Sequence, residues 1–277
     1  MNATLITEWI NSEKGWLDPP GCETDFAPHP TGKDRCCTVG IVHEHRFAFY
    51  FWGRYSIDKG KLPLPTLITL DSHDDVGVPS EVIRKDLDNL DINDRIELGL
   101  FAWLRLRSLN DGHIRPALYL NFFSDVYVLL NNDGDFCGIN DFPHEEQQLD
   151  RNNHPHAIKY YQDTEQLLRN IPPEGPIFFD IDLDYFALVN PDAGSVKGSE
   201  RLRSDEEIAS ILSINGELIG SLLDRIVGLT IALEPSYCGG LVNSLHVLDI
   251  LNRELFDGTL CTHSCKWRNR NIQQLHC

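Results

Sequence analysis

Short, almost wholly apolar runs punctuate the chain at 38–42, 67–70, 117–120, 126–130, 176–181 and 229–233. Runs of this length without a polar face predict strands buried on both sides, as in a parallel sheet. Between them lie stretches with helical spacing at 94–107, 164–170, 205–226 and 241–254. The first carries Ile96, Leu98, Leu100, Phe101, Trp103 and Leu104, enough apolar surface to bury it widely against a sheet. Ser204 followed by Glu207 makes a capping box that sets the start of the third. Strands alternating with helices predict βαβ units. The expected class is therefore α/β, a three-layer αβα architecture with a mostly parallel central sheet. One domain is expected over 1–277, with an irregular, Pro- and Gly-rich segment at 1–37 and a tail at 255–277.

In open sheets of this kind, ligands bind beyond the carboxyl ends of the strands. Four runs end in residues that suit such a site. TVGIV leads into His43-Glu44-His45, LITL into Asp71-Ser72-His73-Asp74-Asp75, IFF into Asp180-Ile181-Asp182-Leu183-Asp184, and TIAL into Glu234-Pro235. On an extended chain, residues two apart share a face, about 6.5 Å per step. Asp71, His73 and Asp75 therefore point one way, as do Asp180, Asp182 and Asp184. Packed together, Asp71, Asp75, Asp180 and Asp182 repel one another and would not all stay ionised in a dry site; two divalent cations balance them. A donor set of carboxylates and imidazoles without thiols suits Mn²⁺ better than structural zinc. Two such metals roughly 3.5–4 Å apart share a water and deliver it as hydroxide.

Composition narrows the class further. The net charge of −18 disfavours nucleic acid and anionic membranes as partners and favours a cationic substrate. No apolar run approaches bilayer length, and the N-terminus carries no basic region followed by an apolar stretch. A cytoplasmic location is expected, with the eight cysteines reduced. The Cys and His residues of the tail, Cys261 to Cys277, fit no standard zinc spacing.

TLITLDSHDD resembles the D-x-H-x-D motif of the ureohydrolases, the family of arginase and agmatinase, and FFDIDLDYF resembles their F-D-x-D motif. The likeness covers the strand-end motifs and the strand–helix order. It implies an arginase/deacetylase-like fold, two Mn²⁺ ions and hydrolysis of a guanidino group by a metal-bridging hydroxide. It implies that Asp71 and Asp180 bridge the metals, and that His73 and Asp182 bind the second. Asp75 would bind the first metal and accept a proton from the bridging water. Asp75 also favours the two-metal branch over the one-zinc deacetylases. Glu234 would pair with the guanidinium, a planar cation that a fixed carboxylate matches. Asp184 would touch substrate or support a ligand. The remaining ligand is His43 or His45. IVHEHRFAFYFW resembles the E-H segment of an arginase-like subfamily that includes peptide arginases, which favours His45. Peptide arginases convert arginine residues of a ribosomally made precursor peptide to ornithine. An arginine-containing precursor peptide is thus the implied partner, and a homo-oligomer is expected by analogy with the parent family.

Two features depart from the free-arginine enzymes. No histidine lies between His73 and His113, where those enzymes have a proton shuttle, and VGVPSEVIRKDLDNLD contains no recognisable reader of an α-carboxylate. Both fit a substrate whose backbone is already in amide bonds. His113 follows a helix and precedes an expected strand, which would put it at the opposite end of the sheet. His144, His154 and His156 lie in a polar stretch, 131–156, expected to cover the site as a loop, with 194–204 as another wall.

Overall fold

The computed structural model describes residues 18–32, 36–58, 60, 62–131, 142–188, 200–262 and 264–270. Its strands are β1 (Glu23–Pro28), β2 (Cys36–Val42), β3 (Thr66–Asp71), β4 (Val126–Leu130), β5 (His144–Leu149), β6 (Pro155–Tyr161), β7 (Ile177–Asp182), β8 (Ala187–Leu188), β9 (Arg201–Leu202) and β10 (Ile226–Ala232). Its helices are α1 (Ala48–Asp58), α2 (Glu81–Asn89), α3 (Arg95–Leu104), α4 (Ile114–Tyr119), α5 (Thr164–Asn170), α6 (Asp205–Leu212), α7 (Glu217–Leu222) and α8 (Leu241–Phe256). Eight strands form one sheet in the order β1-β2-β10-β7-β3-β4-β6-β5, while β8 and β9 pair separately. From β2 through β6 in that order all pairings are parallel. Only the edge strands β1 and β5 run antiparallel.

Every residue of β3, β4 and β7 is buried, as their mainly apolar runs predict, including Thr69, Asp71, Asp180 and Asp182. Alternate side chains divide between two cores. Ile68, Leu70, Phe179, Ile181, Leu229 and Ile231 pack with α5 to α8. Leu67, Val126, Val128, Phe178 and Ala232 pack on the other face with α1, α3 and α4. Helices thus cover both faces of a mostly parallel sheet. Four helices begin on side-chain caps: Ser80 for α2, Asp94 for α3, Asp163 for α5, and the Ser204–Glu207 capping box for α6.

Several elements differ from expectation. The apolar run 117–120 is not a strand: it closes α4. An apolar run this short has no period of its own, and Pro116 sits in the first helical turn, where its absent N–H costs nothing. The helix expected over 205–226 breaks into α6 and α7 at a turn in which Gly216 N–H donates to the Ser213 carbonyl. Its last residue, Ile226, already belongs to β10. AFYFWGRYSID is helix α1, with Phe49, Tyr50, Phe51 and Trp52 all buried, so no polar face marks its period. β1 forms within the segment expected to be irregular. The described part of the polar stretch, 142–156, enters an edge hairpin of β5 and β6 instead of a loop over the site. Its charged outer strand suits a sheet edge exposed to water.

Candidate metal centre

The centre is assembled from four adjacent strand ends, in the sheet order β2, β10, β7, β3. β3 ends on Asp71 and β7 on Asp182. β2 is followed by a single 3₁₀ turn, His45–Phe47, which leads into α1. Glu234 follows β10 by two residues. The crevice between carboxyl ends is where a doubly covered sheet can present polar side chains without breaking its core.

His45 is wholly buried at the middle of the cluster. Its Nδ1 lies 2.9 Å from Asp75 Oδ2, 2.9 Å from Asp182 Oδ2 and 3.3 Å from Asp71 Oδ2. Its Nε2 lies 2.7 Å from Asp180 Oδ2. Although buried, neither His45 Nδ1 nor Asp71 Oδ2 has an aligned hydrogen bond. Such orphaned donor atoms converging on one point fit a cation better than they fit one another. His45, Asp71, Asp75 and Asp182 form one group whose ligand atoms lie within 4.8 Å of one another and could hold a metal ion; Asp71, His73 and Asp184 form a second. Asp71 is common to both. In the second group, His73 Nδ1 lies 2.9 Å from Asp184 Oδ2. The Ser72 N–H donates to Asp184 Oδ1 at 3.1 Å, and the His73 N–H to Asp71 Oδ1 at 2.7 Å.

Five of the six expected ligands therefore meet: His45, Asp71, His73, Asp75 and Asp182. Asp180, the sixth, falls in neither group. Its Oδ2 receives His45 Nε2 and, at 2.7 Å, Thr69 Oγ1, while Thr230 Oγ1 donates to its Oδ1. Asp184 stands with His73 instead. His43 is exposed, so of the two candidate histidines only His45 enters the cluster. His113 is not at the far end of the sheet. Its ring centroid is 4.3 Å from that of His45, and Trp52 stacks on it at 5.2 Å. The turn at Asn110 explains this. Gly77 N–H donates to the Asp111 carbonyl at 2.6 Å and Val76 bridges to Gly112, so α4 starts beside the ligands of β3. His113, with His45 and Asp75, makes a third cluster, but its Nδ1 lies 3.1 Å from the Asn110 carbonyl and is engaged there. His154 and His156 gather around Asp150 at the β5–β6 edge, and His144 lies against Tyr160 there. Of the expected second wall, 194–199 lies outside the described residues.

A cavity of about 240 Å³ opens above the cluster. His73, Asp75, Asp182, Asp184, Asn110 and Glu234 line it, with Asp74, Leu109, Asp111 and Tyr237. Among these lining residues there is no lysine or arginine. Glu234 Oε1 accepts from the His45 N–H at 2.6 Å and from Asn110 Nδ2 at 2.5 Å, which leaves Oε2 for the cavity. Asn110 was not singled out from the sequence; the turn residues of L-N-D-G were its only signal. Asp75, Asn110 and Glu234 all adopt left-handed backbone, with φ of 46°, 62° and 38°. Side chains rarely take that conformation, and its concentration here marks a place where geometry is held against local preference.

Burial dominates the electrostatics. It pushes Asp71 up to about 6, with Asp184 adding to the effect, and Glu234 up to about 7 against the opposing pull of the His45 N–H bond. Asp75 and Asp182 lie well above the ordinary carboxylate range, by burial first and then by the neighbouring Asp71 and Asp184 respectively. For His45, burial opposes the charged form, but Asp180 and Asp182 outweigh it and hold its pKa well above the usual value. His113, buried beside His45, is held well below. Such a cluster gathers positive charge wherever it can find it. No protein-family model matches the chain and no curated protein is significantly similar to it, so the functional reading rests on this geometry.

Proposed function

We propose that the centre binds two divalent cations and hydrolyses the guanidino group of an arginine side chain within a peptide, giving ornithine and urea. The observation that carries the reading is that Asp71 belongs to two ligand groups at once. His45, Asp71, Asp75 and Asp182 would hold one ion, and Asp71, His73 and Asp184 the other. The four carboxylates match the charge of two divalent cations, and the O/N donor set suits Mn²⁺. When bound, the cations would supply activation of water as a nucleophile near neutral pH.

The protein's own groups do the rest. Glu234 presents Oε2 to the cavity, and a guanidinium beside it would favour its ionised form, repaying the cost of burying the carboxylate. Asn110 and the His45 N–H hold Oε1, so the carboxylate is oriented before substrate arrives. Water adds to the guanidinium carbon, the bond from that carbon to the side-chain nitrogen breaks, and the nitrogen leaves as an amine with a proton from the water. Asp75 lines the cavity and would carry that proton, the role the ureohydrolase resemblance implies for it. Among the described residues the lining has no lysine or arginine to pair with a free α-carboxylate, which supports arginine already held in a chain. The charge of −18 would help to collect a cationic peptide.

The test is incubation with Mn²⁺ and an arginine-containing peptide, or free arginine, or agmatine, following urea and substrate mass. Urea from the peptide alone, lost with a chelator, is expected. Urea from free arginine or agmatine alone would move the substrate to small guanidino compounds. Acyl release without urea would replace the reading by a deacylase.

A further inference from the structure

Three residues from adjacent strands meet at one level of the sheet. Thr69 on β3 and Thr230 on β10 both lie opposite Asp180 on β7. Partners in register point the same way, so the three side chains share a face. Toward the crevice that face carries Asp71 and Asp182, two positions on along β3 and β7; Leu67 and Phe178, two positions back on those strands, and Ala232 on β10 belong to the core beneath α1. Asp180 is wholly buried there and would be costly without donors. It has three: Thr69 Oγ1, Thr230 Oγ1 and His45 Nε2. Trp52 Nε1 donates to Thr230 Oγ1 at 3.2 Å, which leaves that hydroxyl's own hydrogen for Asp180. Trp52 also stacks on His113, whose ring meets His45 edge-on. The imidazole of His45 is thus boxed in by a closed circuit of Asp180, Thr230, Trp52 and His113.

We propose that Asp180 is a positioning residue for His45 and not a metal ligand: it takes the Nε2 hydrogen, fixes the tautomer, and aims the Nδ1 lone pair at the meeting point of Asp71, Asp75 and Asp182. The inference rests on the metal-centre reading above. A neutral imidazole carries one hydrogen, and a carboxylate can only accept, so a bond to Nε2 leaves Nδ1 as the ligand atom. Carboxylates in this place raise the basicity of the imidazole and hold its plane. To ligate a cation itself, Asp180 would have to give up hydroxyl donors on both of its oxygens, inside the sheet. The two threonines serve the same end, since they keep its carboxylate from turning.

The test is calorimetric titration of the full chain with Mn²⁺, comparing the wild type with Asp180→Asn, Thr230→Val and Asp184→Asn, and circular dichroism to confirm folding. The wild type is expected to take two ions. Asp180→Asn should still take two, one of them about 10- to 100-fold more weakly. Asp184→Asn, the control for a true ligand, should take one. If Asp180→Asn takes only one ion, or takes two as tightly as the wild type, the positioning role is overturned. Should that variant not fold, Thr230→Val decides: it keeps the side-chain shape, loses only the hydroxyl, and should weaken one ion several-fold, whereas unchanged binding overturns the proposal. A wild type that binds no Mn²⁺ would overturn the metal reading itself. Nitrogen NMR of the zinc-loaded wild type adds a readout independent of affinity, with His45 protonated at Nε2 expected and protonation at Nδ1 overturning the role.

Discussion

Glu234 is strained, buried and half-satisfied, three properties that stability alone would remove. Its left-handed φ of 38° and its single free oxygen are what the proposed contact with a guanidinium in the cavity would use. Glu234→Gln keeps the shape and an acceptor for the His45 N–H but removes the charge that would meet a guanidinium. A buried charge left without its partner costs about 2–5 kcal/mol, so kcat/KM for an arginine peptide should fall roughly 30- to 5000-fold. Mn²⁺ stoichiometry should stay as in the wild type. Steady-state kinetics beside a metal titration checks both, and an unchanged kcat/KM would remove Glu234 from substrate binding. At this scale the sequence was only partly legible. D-x-H-x-D has a single frame, so Asp71, His73 and Asp75 could be read together from their spacing. D-x-D-x-D has two frames with identical spacing. Which pair reaches the crevice depends on where β7 stops, and it stops at Asp182, leaving Asp180 one alternate step inside the sheet between two threonines.

Among the elements, the cavity wall depends on how closely two segments approach. A side chain at Gly77 would put Cβ 2.3 Å from the Asp111 carbonyl oxygen, so only glycine lets the stretch after Asp75 press against the turn that carries Asn110. Gly77→Ala should force that turn outward, pulling Asn110 from Glu234. We expect a loss of about 1–3 kcal/mol in denaturant unfolding, the usual cost of overpacking, and a raised KM for the peptide with both metals retained. If stability and KM are both untouched, the contact does not set the wall. The same approach explains why His113 lies at the opposite end of the sheet from the one its sequence context predicts. Reading 117–120 as a strand reversed the polarity of what precedes it and sent His113 to the wrong end of the sheet. In fact α4 begins at the carboxyl ends, and His113 before it packs against His45 of the candidate centre. By contrast α5, whose bounds of 164–170 were read directly, has a cap and a clear period, and nothing in its packing overrides them.

For the whole molecule, the balance of charge is the main consequence. No helix among the described residues is long and apolar enough to cross a membrane. The chain carries −18 overall, and five aspartates and Glu234 line one cavity. With no cation bound, Asp71 near 6 and Glu234 near 7 hold protons in the folded state that the unfolded chain would release. Raised carboxylate pKa values contribute stability below the ordinary carboxylate range, and that contribution is lost as pH rises through about 6 to 7. His45 works in the same direction, since its raised value stabilises the fold at low pH and the gain is lost only above that window. Divalent cations replace those protons and compete with them. The rise in Tm on adding Mn²⁺ should therefore be small near pH 5 and large near pH 8, by differential scanning calorimetry. Equal shifts at both pH values would mean that the metal does not bind these groups.

The class of fold and the strand ends that gather the candidate centre were written into the sequence, because local period and residue chemistry are local quantities. Buried parallel strands are continuous apolar runs, and polar residues directly after them have nowhere to go but the crevice. What tertiary structure alone decided was register and neighbourhood. It chose among three equally spaced aspartates by where β7 ends, set Thr69 and Thr230 beside the one left inside, and brought Trp52, Asn110 and His113 in from far along the chain. Those choices depend on which strands lie side by side and how far each extends, and pairing across a sheet leaves no trace in the spacing of residues along one strand.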